Sequence, residues 1–344
     1  MNRLAVITIL YLCAICVSCG TKDPKEPENA LTTRCTCFER DFPAGSIWKE
    51  AESGFVGIEN ISFENYPKVD GSTSASILNH IVACKLLGIR YCWMSPGGVS
   101  EWHIQKNWDD IPNDISFYDL VTTSQTHGAF MNLIDGKKDI IVTHRTISPD
   151  EKAHADAAGV KLIETPFALD AFVFIVNKDN PVNSLTIDQV QKIYTKKITN
   201  WSKVGGKNAD MRVFTRPRNS GSEEVFRTLV MNGIEPADFP ASDLNLMYEV
   251  FLEVTLNINS ICYSFLTYKD MQARKLCDEV PVLAIDGICP DEETVKNRKY
   301  PFTSEVCVAI RSDLDRNSMA YKLYEWLQSK AAASTLIECG FIPI

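Results

Sequence analysis

Apolar positions along this chain follow two periods. Short continuous runs, Asp139-Ile140-Ile141-Val142-Thr143 and Ala171-Phe172-Val173-Phe174-Ile175-Val176, have the length and the β-branched or aromatic content of buried strands. Ser76 to Leu87 reads as a helix following the turn Asp70-Gly71-Ser72-Thr73-Ser74, and Met319 to Lys330 as another, with Ala320, Leu323, Tyr324 and Leu327 on one face. Val225, Phe226 and Leu229 give the spacing of a half-buried helix, and Gly340-Phe341-Ile342-Pro343-Ile344 closes the chain as a strand-like tail. Strand and helix windows alternate, which predicts α/β layering. No internal repeat is visible. Gly88 to Asp119, rich in Trp, Pro and Gly, reads as a long irregular insertion, open to the roles of lid, partner surface or packed excursion. About 280 residues from Tyr66 to Ile344 suffice for two lobes with separate cores.

The first residues carry a different pattern. After Arg3, about fourteen apolar residues run from Leu4 to Val17, and polarity returns at Thr21-Lys22-Asp23. The run is short for a spanning helix and matches a secretory signal over residues 1–18, with an uncleaved anchor as the alternative. A Cys after Ser18 and before Gly20 resembles a bacterial lipoprotein site, in which Cys19 takes the lipid; the departure is Cys16, where that pattern usually has Leu. Residues 19–65, opening with Pro24, Pro27 and mixed charges, then form a lipid-anchored tether.

Composition narrows the partners. Without the signal segment the chain holds 34 basic against 44 acidic residues, a balance of −10, so nucleic acid is an unsuitable partner and an anionic ligand needs a local positive cluster. Nine cysteines remain beyond Cys19: Cys35, Cys37, Cys84, Cys92, Cys262, Cys277, Cys289, Cys307 and Cys339. An odd number cannot all pair, and their scatter lacks zinc-type spacing. No cofactor or metal is implied. Cys307 reads as a core residue.

Candidate chemistry collects in the turns. Arg216-Pro217-Arg218-Asn219-Ser220-Gly221-Ser222 runs into a helix, offering guanidinium groups, hydroxyls and the free N–H groups of a helix start to one anion. Asn219 or Ser220 would cap it, and Gly221 lets the backbone come close to a ligand. Glu223 and Glu224 suit the first-turn dipole and are expected to face outward, away from an anion. Gly71-Ser72-Thr73-Ser74 and Ser124-Gln125-Thr126-His127-Gly128 are further hydroxyl-rich turns before helices. Each is equally consistent with a simple capped helix, but in open α/β lobes such turns gather where ligands bind.

With those residues in view, the chain resembles the periplasmic phosphate-binding proteins of bacterial ABC transporters, the PstS-like family, over nearly all of residues 66–344. Beyond the three turns, the likeness rests on Asp170-Ala171-Phe172-Val173-Phe174-Ile175-Val176-Asn177, Asn180-Pro181-Val182, Ile193-Tyr194 with Lys197-Ile198-Thr199-Asn200-Trp201, Val204-Gly205-Gly206, Asn259-Ser260-Ile261-Cys262-Tyr263 and Tyr300-Pro301-Phe302. The resemblance implies an α/β two-lobed periplasmic-binding-protein (Venus flytrap) fold with a hinge. Lobe 1 would comprise 66–165, including the insertion 88–119, and return at 303–344; lobe 2 would be 166–302. It also implies an exported, lipid-anchored protein of the cell envelope that passes inorganic phosphate or a related oxyanion to an ABC-transporter permease.

Carried across by motif, the ligand groups are Thr73, Ser74, Thr126, Arg216, Ser220, Gly221 and Ser222. The turn after the second strand departs from the family. Many members have an Asp there, or a Ser followed by Arg, and the Asp accepts the proton of hydrogen phosphate; here the place reads Thr143-His144-Arg145. A neutral His144 would be the replacement acceptor, whereas Arg145 only donates. The competing classes are a surface lipoprotein using the same fold for sensing or adhesion, and a Ser-dependent hydrolase or phosphatase built on Ser220 or Ser222. Against the latter, no Gly-X-Ser-X-Gly elbow occurs and the His residues are scattered.

Overall fold

A computed structural model describes residues 34–35, 45–95, 101–239 and 246–344. The expected signal segment 1–18 and the lipidation residue Cys19 lie outside the described residues, as does Cys37. Among the described residues the strands are, in chain order, β1 (Gly45–Lys49), β2 (Val69–Gly71), β3 (Tyr91–Met94), β4 (His103–Lys106), β5 (Ile140–Thr143), β6 (Leu162–Val176), β7 (Ser184–Leu185), β8 (Arg212–Val213), β9 (Ser260–Phe265), β10 (Ala284–Ile285), β11 (Thr303–Arg311) and β12 (Ile342–Pro343). Seven of them form one sheet in the order β2-β5-β11-β6-β9-β8, with β12 added along β6.

Strand β6 organises this sheet. From Phe167 to Val176 every residue is buried, so the segment reads as a continuous apolar run interrupted by Asp170. Its first part, Leu162–Ala171, pairs antiparallel with β11; its second part, Phe172–Val176, pairs antiparallel with β9. One strand thus serves two cores. Phe167 and Ala168 pack with Leu78, Ile81, Trp93, Val142 and Val308 in the first, while Phe172 and Phe174 pack with Tyr194, Trp201, Phe251 and Tyr263 in the second. Burying a large side chain is worth roughly 1.5–3 kcal/mol, so each core is a substantial unit in its own right. The chain passes between them again where Phe302, in the second core, leads into Val306 of β11, in the first. After β9 the helical turn Tyr268–Gln272 leans Met271 into the first core.

The helix Ser76–Leu87 forms as its pattern predicts. It follows a single 3-10 turn at Thr73–Ala75 and ends at Gly88, whose φ of 70° is the left-handed conformation that favours glycine. Its buried Lys85 is neutralised by Glu52 at 2.7 Å and Glu338 at 2.8 Å. The helix expected over Met319 to Lys330 spans Met319–Leu327, and a 3-10 turn at Lys330–Ala332 leads into a further helix, Ala333–Glu338.

The insertion 88–119 departs from the irregular excursion expected. Its β3 and β4 pair antiparallel, and β1, far ahead in the chain, adds to β3. The physical reason is burial: Tyr91, Cys92 and Trp93 all sit beneath the surface, and pairing satisfies their backbone groups there. Lys106 on β4 lies 4.8 Å from the Phe117 ring centre, and burial holds its pKa below the ordinary lysine value.

Cys35 is disulfide-bonded to Cys289, 254 residues away. Cys84, Cys92, Cys262, Cys277, Cys307 and Cys339 are buried thiols, and burial pushes Cys307 up to about 12, in keeping with a core role. Among the described residues no helix is long and apolar enough to cross a membrane, and no group of three or more His, Cys, Asp or Glu stands ready for a metal ion.

The parallel β2–β5 pair carries a sharp steric test. A Cβ on Gly71 would lie 2.5 Å from the Val142 carbonyl oxygen and 2.7 Å from Asn79 Nδ2. We expect Gly71→Ala to destabilise the fold by about 1–3 kcal/mol, the usual range for overpacking, measured by urea denaturation against the parent.

Candidate functional site

Three turns meet at one small cleft between the two cores. The 3-10 turn after β2 contributes Ser72, Thr73 and Ser74; the start of the helix Gln125–Ile134 contributes Gln125 and Thr126. From the opposite side come Arg216 and the helix start at Ser220, Gly221 and Ser222, with Met247 and Phe265 as apolar floor. Several donors from both halves therefore face one point.

Each turn is held by a residue behind it. Asp70, at 0 % exposure, accepts from the Gly71 N–H and the Ser124 N–H, both at 2.8 Å, and from Asn132 Nδ2 at 2.9 Å. One buried carboxylate thereby fixes the first turn relative to the second. Gln125, at the start of its helix, takes a φ of 62° and lines the cleft with Thr126. On the other side, the Ser220 hydroxyl caps its helix by accepting from the Glu223 N–H at 3.2 Å. A Cβ on Gly221 would lie 2.2 Å from Thr126 Oγ1, so this glycine is what allows the two walls to touch.

Arg216 is the cationic group of the cleft. Burial, leaving it 8 % exposed, depresses its pKa from the ordinary arginine value because a desolvated charge is disfavoured, and an anion in the cleft would offset that cost. Nη1 donates to the Leu246 carbonyl at 2.5 Å, and the backbone N–H donates to Tyr263 Oη at 3.0 Å. Arg218, the other guanidinium of the motif, is exposed and off the lining.

Glu223 does not face outward as expected. It is 2 % exposed, accepts from the Tyr263 hydroxyl, and takes Arg227 Nε at 2.8 Å. A helix-dipole argument alone could not foresee these donors, which come from β9 and from one turn further along the helix. Glu224 is only partly covered, and burial raises its pKa.

Thr143, His144 and Arg145 are not among the residues lining this cleft. Thr143 pairs with Cys307 in the sheet, and its hydroxyl donates to the Arg145 carbonyl at 2.7 Å. Arg145 is committed elsewhere: Nη1 and Nη2 each reach Glu151 at 2.7 Å, and the guanidinium sits 5.1 Å from the Phe130 ring centre. His144 is buried against Phe265, with ring centres 4.2 Å apart. Its Nδ1 stands 2.8 Å from Ser74 Oγ, and its Nε2 stands 3.1 Å from Asp170 Oδ2. Sequence reasoning missed the lining roles of Ser72 and Gln125, both inside the turns it had marked, and the supporting roles of Asp70 and Asp170. A lone Asp within each apolar strand was the available signal, since a buried charge demands partners.

A family model described as a PBP superfamily domain matches residues 110–329, more than half of the chain. The chain belongs to this superfamily. It is 26 % identical over 197 residues to the phosphate-binding protein PstS of Bacillus subtilis, covering 57 % of this chain and 61 % of that protein. It is 28 % identical over 236 residues to the protein SphX of Synechococcus elongatus, covering 65 % and 68 %. The match thus spans about three fifths of the length of the PstS relative. A phosphate-bound structure of a substrate-binding protein of a phosphate ABC transporter from Clostridium perfringens, described there as putative, aligns with a TM-score of 0.60 at 22 % identity, covering 80 % of this chain and 98 % of that one. An ABC-type phosphate transport receptor from Vibrio cholerae aligns with a TM-score of 0.55, also at 22 % identity and with the same coverage. The PstS-like resemblance and the two-lobed α/β fold are therefore shown.

Because Gly221 and Thr126 meet across the cleft, Gly221→Ala should hold the lobes apart. We expect small-angle scattering to give a larger radius of gyration for this PBP-superfamily chain as the variant than as the parent, with thermal stability little changed.

Proposed function

We propose that the chain is a substrate-binding lipoprotein that captures inorganic phosphate in the cleft between its lobes and hands it to an ABC-transporter permease, without catalysis. The observation that carries this reading is the meeting of three hydroxyl-bearing turns with one buried guanidinium. Thr73, Ser74 and Thr126 would bind from the first lobe, and Arg216, Ser220, Gly221 and Ser222 from the second. A tetrahedral oxyanion offers acceptors in every direction, so donors arriving from both walls can bind it only when the walls are closed. Charge-assisted bonds to Arg216 and the hydroxyls would repay the desolvation of both partners. The net negative charge of the chain repels phosphate at long range, so affinity must come from this local cluster. The names of the PstS relatives and the phosphate-bound neighbour support the choice of ligand.

The cell-envelope location and the lipid anchor rest on Leu4–Val17 and Cys19. Two or more acyl chains would hold the protein stably, whereas one holds it only marginally.

Two outcomes test the proposal. Arg216→Ala should lose detectable phosphate binding in isothermal titration while keeping the parent's circular dichroism, since truncating one partner of a buried charge pair typically costs about 2–5 kcal/mol; unchanged affinity would remove Arg216 from the site. Mass spectrometry of the protein purified from native membranes should find residues 1–18 absent and Cys19 acylated. An intact N-terminus or an unmodified Cys19 would remove the anchor.

A further inference from the structure

Lys269, Asp270 and Cys277 form a compact cluster of reactive groups away from the cleft lining. They belong to the stretch after β9, where the helical turn Tyr268–Gln272 gives way to a 3-10 turn at Arg274–Leu276. Lys269 Nζ stands 3.3 Å from Cys277 Sγ and 3.5 Å from Asp270 Oδ1, and the sulfur is 3.7 Å from that same oxygen. Cys277 Sγ also donates to the Lys269 carbonyl at 3.6 Å, so main chain and side chain together hold the two residues face to face.

Cys277 differs from the other described thiols. It is 8 % exposed, whereas Cys84, Cys92, Cys262, Cys307 and Cys339 are at 0 or 1 %. Burial pushes Cys84, Cys262 and Cys307 up to about 12, which keeps them protonated and inert. Beside Cys277, by contrast, lies the Lys269 ammonium, a neighbour that favours the thiolate, and the thiolate is the form that oxidants attack. A small oxidant therefore meets Cys277 first.

We propose that Lys269 and Cys277 are a redox modification site, which a peroxide converts into a covalent S–N bridge, a sulfenamide. The Cys277 thiolate attacks one peroxide oxygen; the O–O bond breaks, the second oxygen leaves as water after taking up a proton, and the sulfur, oxidised by two electrons, becomes a sulfenic acid. Lys269 then passes one proton to Asp270, and its neutral amine attacks Sγ. The S–O bond breaks, and the departing hydroxide leaves as water with a second proton from the nitrogen. One S–N bond is formed, and the peroxide has been reduced to water. The N–S separation of 3.3 Å is already that of groups placed for attack. The bridge closes on the segment that joins the two cores, since Tyr268 packs in the second and Met271 in the first, and the Thr267 N–H donates to Asp170 at 3.1 Å. The Cys35–Cys289 disulfide fits an oxidising compartment, where this chemistry is available.

Peptide mapping by mass spectrometry tests the assignment on the folded full chain, treated with hydrogen peroxide and digested without reductant. We expect trypsin to stop cleaving after Lys269, and the peptides of Lys269 and Cys277 to be joined with a loss of about 2 Da, two hydrogens. Dithiothreitol should reverse the link. Cys277→Ser and Lys269→Arg should each abolish it, and Asp270→Asn should slow its formation roughly 10-fold or more. The parent's own map decides the case where a variant fails to fold. Cleavage after Lys269 that persists while Cys277 goes on to sulfinic acid, pairs with another thiol or stays unreacted would overturn the proposal. A joined pair heavier by about 14 Da, with one oxygen retained, would overturn the sulfenamide in favour of an N–O–S bridge.

Discussion

The buried carboxylate of Asp170 is the constraint on which the two-lobed arrangement turns. It sits in the stretch of β6 where one core gives way to the other, with Ala168 in the first and Leu169 and Ala171 in the second. Through Oδ1 it ties the start of the second-lobe half of β6 to Thr267, where the chain leaves β9, and its own carbonyl accepts from Ser304 of β11 at 3.3 Å. The crossing segments are thus stitched to a single residue. A charge placed there is costly unless every lone pair is used, and that requirement fixes the local geometry more firmly than apolar packing would. The same group reaches the cleft through His144. Hinge and ligand wall are parts of one polar network.

The opposite wall follows a similar rule with the signs reversed. The buried Arg216 guanidinium is held by the Leu246 carbonyl, while Glu223 lies behind it, accepting from the Arg216 backbone N–H at 3.4 Å and pairing with Arg227. The Tyr263 hydroxyl mediates between them, bonding to Glu223 and accepting from the Arg216 backbone. Tyr263 is itself wedged in the aromatic core, stacked on Phe226 with ring centres 4.7 Å apart and an 8° tilt. The positive group thus owes its position to the packing of the second lobe.

Much of this was legible in the chain. The helix Ser76–Leu87, strands β5 and the core half of β6, and the three hydroxyl-rich turns follow from local periodicity and turn chemistry, which depend on neighbours in sequence. Of the two guanidinium groups in the motif, the resemblance pointed to Arg216, and the fold buries it at the cleft while Arg218 is exposed. The small sheet of β1, β3 and β4 was not legible, because β1 lies about 40 residues before β3 and each strand is too short to announce a period. The inward turn of Glu223 escaped for a related reason: its partners Tyr263 and Arg227 are set by tertiary packing. His144 was singled out correctly as unusual, yet its place one layer behind the wall depends on Ser74 and Asp170, which lie 70 residues before it and 26 after.

The Cys35–Cys289 disulfide has a mechanical meaning. Cys289 follows Ile288, which packs on the second core, whereas Gly45–Lys49, ten residues beyond Cys35, is stitched to β3 of the first. Ten residues reach at most about 33–36 Å when drawn out. The length of the intervening chain therefore limits the distance between two attachments, one covalent at the second core and one by a strand at the first. It leaves small excursions free and caps large ones. A thiol reductant would remove this limit at the Cys35 end while the crossing strands β6 and β11 stay whole.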